Sequence, residues 1–423
     1  MPTWRIILIT AFVTYGVSVI VRVLTSREKK INYEIEHLFS IEDDQFLRSM
    51  GSLLPPAMSS ANTITPFTNG EKFFPEMLDA IRSARHTITF ETFIYWQGEI
   101  GKKFAAALIE RANAGVRVHV MLDWLGTKKL DASSVQSMKD AGIEVERYHP
   151  LRWYNLRRAN NRTHRKLLIV DGRIGFTGGA GIADLWDGNA QDKDHWRDSH
   201  FKMEGPVVAQ CQAAFMDNWL KIRSRVLHAP IYFPELPPTG NSRAQMFMSS
   251  PAEGSESARL MYLLSIASAA RSVRIASAYF VPDDLAVTTL VDARRRGVKV
   301  EIIVPGENID TKVTRRAGRS RWGPLLEAGV EIFEYQPTMY HCKVMIVDDL
   351  WTSVGSTNFD NRSFRLNDEA NLNVYDADFA RDQVRAFEQD KTRSRRITLN
   401  DWQNRPWAEK LTEHLAGLLR SQL

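Results

Sequence analysis

Residues 163–184 read THRKLLIVDGRIGFTGGAGIAD, and residues 340–364 read YHCKVMIVDDLWTSVGSTNFDNRSF. Each stretch carries His-x-Lys-x4-Asp: His164, Lys166 and Asp171 in the first, His341, Lys343 and Asp348 in the second. Each reaches a glycine turn seven residues after the Asp, at Gly178 and at Gly355. Strand side chains alternate, so a His and a Lys two apart share one face. An imidazole and an ammonium on one face suit attack on a phosphate diester. Their recurrence predicts a single active site that needs two histidines. Asp171-Gly172 is also a hairpin-turn signal. The second copy has Asp348-Asp349, a poorer turn, so the recurring Asp points to a chemical role.

The repeat extends beyond these motifs. FFPEMLDAIRSARHTITFETFIY (73–95) matches ARLMYLLSIASAARSVRIASAYFVP (258–282). Both read as an amphipathic helix followed by a strand rich in β-branched and aromatic residues. FAAALIERANAGVRVHVMLDW (104–124) matches LAVTTLVDARRRGVKVEIIVPG (285–306), each a helix closed by a glycine and then a strand. VQSMKDAGIEVERYHP (135–150) matches WGPLLEAGVEIFEYQP (322–337). Alternating strands and helices predict two tandem α/β sandwich halves, 63–229 and 230–400, joined near the Pro-rich 229–243.

Upstream, Ile6–Val21 is uncharged and flanked by Arg5 and Arg22. Snorkelling arginines would let it serve as an uncleaved transmembrane anchor within residues 1–30. Arg22, Arg27, Lys29 and Lys30 follow it, so the positive-inside rule puts the catalytic part in the cytoplasm. Residues 31–62 read as a juxtamembrane connector. The tail 401–423 sets Trp407, Leu411, Leu415, Leu418 and Leu419 at helical spacing, which predicts a helix docked on the core. A helix lying in the membrane interface is the alternative.

The net charge is +5, but it is unevenly spread. Arg152, Arg157, Arg158, Arg162, Arg165 and Lys166 crowd 151–170 without an acid. Lys312, Arg315, Arg316, Arg319 and Arg321 do the same in 311–326. The first run abuts the motif, which favours anion binding. Two cysteines, Cys211 and Cys342, make no disulfide framework. Cys342 points away from His341 and Lys343 and reads as packing.

The doubled motif resembles the phospholipase D superfamily, over residues 63 to 400. That resemblance implies two halves meeting across a pseudo-twofold axis. One histidine forms a phosphohistidine, and the other protonates the leaving alcohol and then activates the incoming one. It implies His164 as nucleophile and His341 as acid, with the lysines on the phosphoryl oxygens. Gly355-Ser356-Thr357-Asn358 fits the family's Gly-Ser-x-Asn turn, so Ser356 and Asn358 are expected near the phosphate. The first half has Gly178-Gly179-Ala180-Gly181 there, where backbone N–H groups would take over. Asp198 lies 34 residues after His164 and Glu369 lies 28 after His341, as carboxylates that orient a histidine.

SAYFVPDD (277–284), the anchor and the Trp/Leu tail resemble bacterial cardiolipin synthases more closely. The resemblance implies a phosphatidyltransferase in the bacterial inner membrane that joins two phosphatidylglycerols and releases glycerol. A phospholipase D hydrolase is the alternative, and a nuclease the more remote one. Membrane phospholipids are the expected partners, with no nucleic acid and no cofactor. His195 and His200 with Asp192, Asp194 and Asp198 fit no zinc spacing, so no metal is expected. Oligomeric state stays open.

Overall fold

A computed structural model of the chain describes residues 2–25, 34–150, 160–250, 256–420 and 422–423. The first half contributes β1 (Ser59–Thr68), β2 (Thr87–Thr92), β3 (Arg117–Asp123), β4 (Glu144–Tyr148), β5 (Arg162–Thr163), β6 (Leu167–Val170), β7 (Ile174–Gly178) and β8 (Ser199–Glu204). The second contributes β9 (Ser242–Ser249), β10 (Ser272–Ser277), β11 (Lys299–Pro305), β12 (Glu331–Tyr335), β13 (Lys343–Val347), β14 (Trp351–Gly355), β15 (Asn367–Tyr375) and β16 (Ser394–Ile397). The first seven-strand order is β1-β8-β7-β6-β2-β3-β4 and the second is β9-β15-β14-β13-β10-β11-β12. The orders are the same, strand for strand, and β16 extends the second half beyond β12. Antiparallel pairing of β1 with β9 joins them into one sheet.

Parallel pairing of β2, β3 and β4 needs crossovers, which helices Glu99–Asn113 and Ala132–Asp140 supply. Side-chain alternation then splits each strand between two cores. On β3, Val118, Val120 and Leu122 join Phe73 and Phe104 in the outer core of the first half, whereas Met121 faces a central core. That central core is shared. Helix Val207–Arg223 brings Phe215 and Trp219 to it, and helix Ala377–Thr392 brings Phe379 and Phe387. Cys211 and Cys342 are both buried in it. Trp322, Ile302 and Leu290 belong to the outer core of the second half.

Residues 41–54, expected as a connector, are part of this packing. Ile41, Phe46, Met50 and Leu54 are buried in the second half's outer core, and the Phe46 ring meets Trp351 edge-on at 5.0 Å. The N-terminal anchor also departs from expectation. Residues Thr3–Thr25 form a helix, yet no helix among the described residues is long and apolar enough to cross a membrane. Its uncharged run, Ile6–Val21, stops at Arg22, short of the roughly 20 residues a span needs. Trp4, Phe12 and Tyr15 on it are exposed. Arg27, Lys29, Lys30, Arg152, Arg157 and Arg158 lie outside the described residues.

The aspartates of the two motifs sit in matched turns. Asp171 and Gly172 have φ of 53° and 62°, and Asp348 and Asp349 have 52° and 54°, so both hairpins use two left-handed residues. The Asp171 carboxylate accepts the backbone N–H of Arg85, His86 and Thr87 at 2.7–2.9 Å. Asp348 accepts those of Ala270, Arg271 and Ser272 at 2.7–2.8 Å. Each stitches its hairpin to the start of the parallel strand beside it. This corrects the expectation that Asp171 and Asp348 take part in the chemistry. Each lies at the far end of β6 or β13 from its histidine, seven residues on and about 23 Å along an extended chain. Asp348→Ala is therefore expected to lower unfolding free energy by about 2–4 kcal/mol, because buried donors lose an ionised acceptor. Turnover of the folded protein should be unchanged. Denaturant melts paired with assays below the transition check this, and normal stability with lost turnover would return the aspartate to the site.

Candidate active site

The chain leading into each His-x-Lys motif leaves its own half and docks on the other. β5 pairs in parallel with the start of β15, Asn367 with Arg162 and Asp368 with Thr163. His164 N–H then donates to the Asp368 carbonyl at 2.9 Å. The counterpart is a bridge between Arg197 and Tyr340, and His341 N–H donates to the Arg197 carbonyl at 2.8 Å. Asp368 and Arg197 immediately precede Glu369 and Asp198. Each histidine is thus set beside the carboxylate of the opposite half.

The side chains close that exchange. His164 Nδ1 lies 3.0 and 3.1 Å from the two Glu369 oxygens. His341 Nδ1 lies 2.7 Å from Asp198 Oδ2. Burial pushes both imidazoles down to about 4. For both carboxylates burial acts upward, but it is outweighed. His164 and Lys166 hold Glu369 below its usual range, and His341 and Lys343 do the same for Asp198. At neutral pH the carboxylates are ionised and the imidazoles neutral. Such a carboxylate fixes the proton on Nδ1 and leaves the Nε2 lone pair for chemistry.

The lysines sharpen the picture. Burial and then the Lys343 charge push Lys166 down to about 7. Lys343 is also lowered, chiefly by burial. Lys166 Nζ donates to the His164 carbonyl at 2.7 Å, and Lys343 Nζ to the His341 carbonyl at 2.6 Å. Two buried cations so close repel each other unless an anion separates them. A phosphodiester anion would relieve that repulsion. The two halves are not equal here. Lys343 Nζ sits against the His341 ring, 3.1 Å from Nδ1 and 3.2 Å from Nε2, whereas among the described residues no hydrogen bond reaches His164 Nε2.

The turn residues also differ between the halves. Ser356 Oγ donates to Glu369 Oε2 at 2.5 Å and so supports the carboxylate rather than a substrate. Asn358 is buried with Oδ1 unpartnered among the described residues. At the site matching Ser356 the first half has Gly179. A Cβ there would stand 2.3 Å from Asp198 Oδ1, so only glycine leaves room for the shorter acid. Gly178 is equally close to His200 and the Ser199 carbonyl. The hydrogen bonds missing at Gly179 come from Trp186 Nε1 to Asp198 Oδ2 at 2.9 Å and from Ser199 N–H to Oδ1 at 2.8 Å.

Trp186 and Trp196 were not legible as site residues. Their rings lie 5.3 and 5.4 Å from the His341 imidazole and, with Phe93 at 5.2 Å from His164, wall the site with aromatic surface. Only their neighbourhood to Asp198 in sequence could have drawn attention to them. His195 lies in a surface turn bonded to Asp192, away from buried His200. Among the described residues no group of three His, Cys, Asp or Glu side chains could hold a metal. Arg162 and Arg165, from the first basic run, are buried. Arg165 is spent on Asp217 and three carbonyls, holding the backbone beside His164.

Residues 77–195 and 262–391 match the family model described as "Cardiolipin synthase, PLD-like domain". The chain is 36% identical to cardiolipin synthase 1 of Bacillus cereus over 362 residues, covering 83% of this chain and 71% of that one. It is 34% identical to cardiolipin synthase A of Pseudomonas putida over 374 residues, covering 88% and 78%. Among solved structures, phosphatidylserine synthase of Haemophilus influenzae superposes with a TM-score of 0.68 at 16% identity, covering 90% of this chain and all of that one, which is a likeness of fold.

The charge states carry a pH dependence. His164 is neutral above about 4, so kcat/KM should fall on acidification below that value. His341, if it acts as the acid, must gain a proton at any pH above about 4, so kcat/KM should decline with rising pH, and more steeply above about 7, where Lys166 loses its charge. Lys166→Arg keeps the charge and should move only the alkaline limb upward. Full pH profiles of both proteins check this, and an unmoved alkaline limb would assign it to another group.

Proposed function

The chain belongs to the cardiolipin synthases of the phospholipase D superfamily, and we propose that its paired histidines divide a phosphatidyl transfer between two phosphatidylglycerol molecules. The observation that carries this reading is the exchanged pairing of two neutral histidines with carboxylates, beside two buried lysines.

In the first displacement His164 Nε2 attacks phosphorus and the bond to the glycerol head group breaks. His341, protonated at Nε2, gives its proton to the departing alkoxide, so glycerol leaves as the neutral alcohol. The bound phosphate makes that protonation favourable in two ways. Its charge offsets those of the lysines, and it draws Lys343 from the His341 ring onto a phosphoryl oxygen. In the second displacement neutral His341 takes the proton from the glycerol hydroxyl of another phosphatidylglycerol. That oxygen attacks the phosphatidyl-His164, the P–N bond breaks and cardiolipin forms. His164 is again neutral and His341 again holds the proton for the next leaving group. Trp186, Trp196 and Phe93 keep water from competing with the lipid alcohol. His164 is assigned as nucleophile because, among the described residues, no hydrogen bond reaches its Nε2, while Lys343 sits against the His341 ring.

The lipid substrate puts the enzyme at a membrane surface, in a bacterial cell the inner membrane. The exposed Trp4, Phe12 and Tyr15 give the N-terminal helix an apolar contact with it.

The test is product and intermediate analysis with phosphatidylglycerol in detergent micelles. One glycerol should appear per cardiolipin, and added glycerol should suppress the net reaction. A chiral phosphorothioate should be transferred with retention. Phosphatidic acid as main product would favour the hydrolase, and inversion would exclude a covalent intermediate. Glu369→Gln should reduce kcat by about 10²–10⁴-fold, by analogy with losing the carboxylate behind a catalytic imidazole. Rapid-quench mass spectrometry should find little phosphatidyl-His164 in it, because the first displacement is slowed. His341→Ala should instead accumulate the adduct where the leaving group needs little protonation. An adduct on His341 would reverse the assignment.

A further inference from the structure

The C-terminal helix Trp407–Gly417 is docked on the protein the wrong way round for a helix that covers a core. Its buried positions are Glu413 and Ala416. Glu413 is held by Arg405 at 2.8 Å and Arg319 at 3.2 Å, and Arg319 also reaches Glu409 at 3.6 Å. Ala416 packs on Ala317 and Val281. The apolar stripe expected against the core faces outward instead. Trp407 is 77% exposed, Leu411 51%, Leu415 54%, Leu418 69% and Leu419 47%. At spacings of four residues Trp407, Leu411 and Leu415 lie along one helix face, and Leu418 and Leu419 follow in the turn just past it. Leaving five large apolar side chains together in water is unfavourable by the area they expose.

Cations border the stripe. Lys410 is exposed on the same helix, and Lys312 and Arg316 are exposed on the adjoining helix Lys312–Arg319, where Val313 is also exposed. Apolar side chains among cations complement an anionic lipid surface rather than a second protein face. Past the stripe, the end of the chain bonds to segments that adjoin the catalytic site in sequence. Asn361 Nδ2 donates to the Arg420 carbonyl at 3.0 Å and Arg362 N–H to the Leu423 carbonyl at 3.0 Å. Arg362 and Gln422 both bond Asn160, two residues before Arg162 of β5. Asn361 stands three residues after Asn358.

The geometry points to an anionic membrane surface as the occupant of this face: the inverted helix Trp407–Gly417 seats the rim of the active site on the bilayer, so that lipid substrate passes from the leaflet into the site without crossing water. The inference rests on the phosphatidyl-transfer reading only for the choice of phosphatidylglycerol as the lipid.

The test uses the full chain in two arms. Cys211 and Cys342 are buried, so Trp407→Cys takes an environment-sensitive dye selectively. On vesicles of phosphatidylglycerol the emission should shift to the blue, and less so on phosphatidylcholine vesicles. A dye on Lys103→Cys, exposed on the outer face, should not shift. No shift at 407, an equal shift at 103, or a shift driven by protein concentration alone would overturn the proposal, the last in favour of a second copy of the chain. His164→Ala protein should give the same shift, which separates this inference from the catalytic one. In the second arm Leu411→Glu with Leu415→Glu should lower turnover on phosphatidylglycerol vesicles by about tenfold or more. Turnover in detergent micelles should be retained. An equal loss in both, or no loss on vesicles, would overturn it.

Discussion

Everything in this molecule is arranged around one exchange: the carboxylate of each half orients the histidine of the other. Glu369 holds His164 and Asp198 holds His341, and the backbone bonds from His164 to Asp368 and from His341 to Arg197 set the register of both pairs. Neither half contains a complete histidine–carboxylate pair by itself. The shared central core, built by helices Val207–Arg223 and Ala377–Thr392, is therefore a precondition of the chemistry as well as of stability. Removing either carboxylate would leave a buried imidazole N–H without its acceptor, at a cost of about 1–3 kcal/mol.

The same burial sets the protonation states. Taking an imidazole out of water disfavours its cation, so both histidines rest neutral. Taking two lysines out of water beside each other disfavours both ammonium groups. The protein groups of the site are consequently short of negative charge, and a phosphodiester supplies it. Binding and activation are one electrostatic event. The anion stabilises the lysine cations and permits the protonated imidazole that the leaving group needs. Asymmetry between the halves is built from small differences. Glu369 with Ser356 on one side and Asp198 with Gly179 and Trp186 on the other are two packings of the same function.

Much of this was legible in the sequence because repetition is a strong signal. The two His-x-Lys strands, their shared face and the helix–strand order of both halves follow from periodicity and spacing. Asp198 and Glu369 were found, but not which histidine each serves, since that depends on how chains cross between halves. Asp171 and Asp348 were misjudged because Asp348-Asp349 looked a poor turn. In fact both aspartates tolerate left-handed φ, and the first carboxylate gathers three backbone N–H groups. Helical periodicity located the stripe from Trp407 to Leu419 but could not tell which face turns inward, because buried Glu413 needs Arg319 and Arg405 from elsewhere. Residues 41–54 looked like a linker because Ile41, Phe46, Met50 and Leu54 find their partners on the second half, from Phe247 onward.

The central claim, exchange of carboxylates between halves, is open to direct observation. Nitrogen NMR of histidine-labelled protein reports the tautomer and hydrogen bonding of each ring. Spectra of wild type, Glu369→Gln and Asp198→Asn would be compared, with His164→Ala and His341→Ala used for assignment. Glu369→Gln should move the Nδ1 signal of His164 and leave His341 in place, and Asp198→Asn should do the reverse. If Glu369→Gln instead moves His341 alone, each half orients its own histidine and the account is wrong.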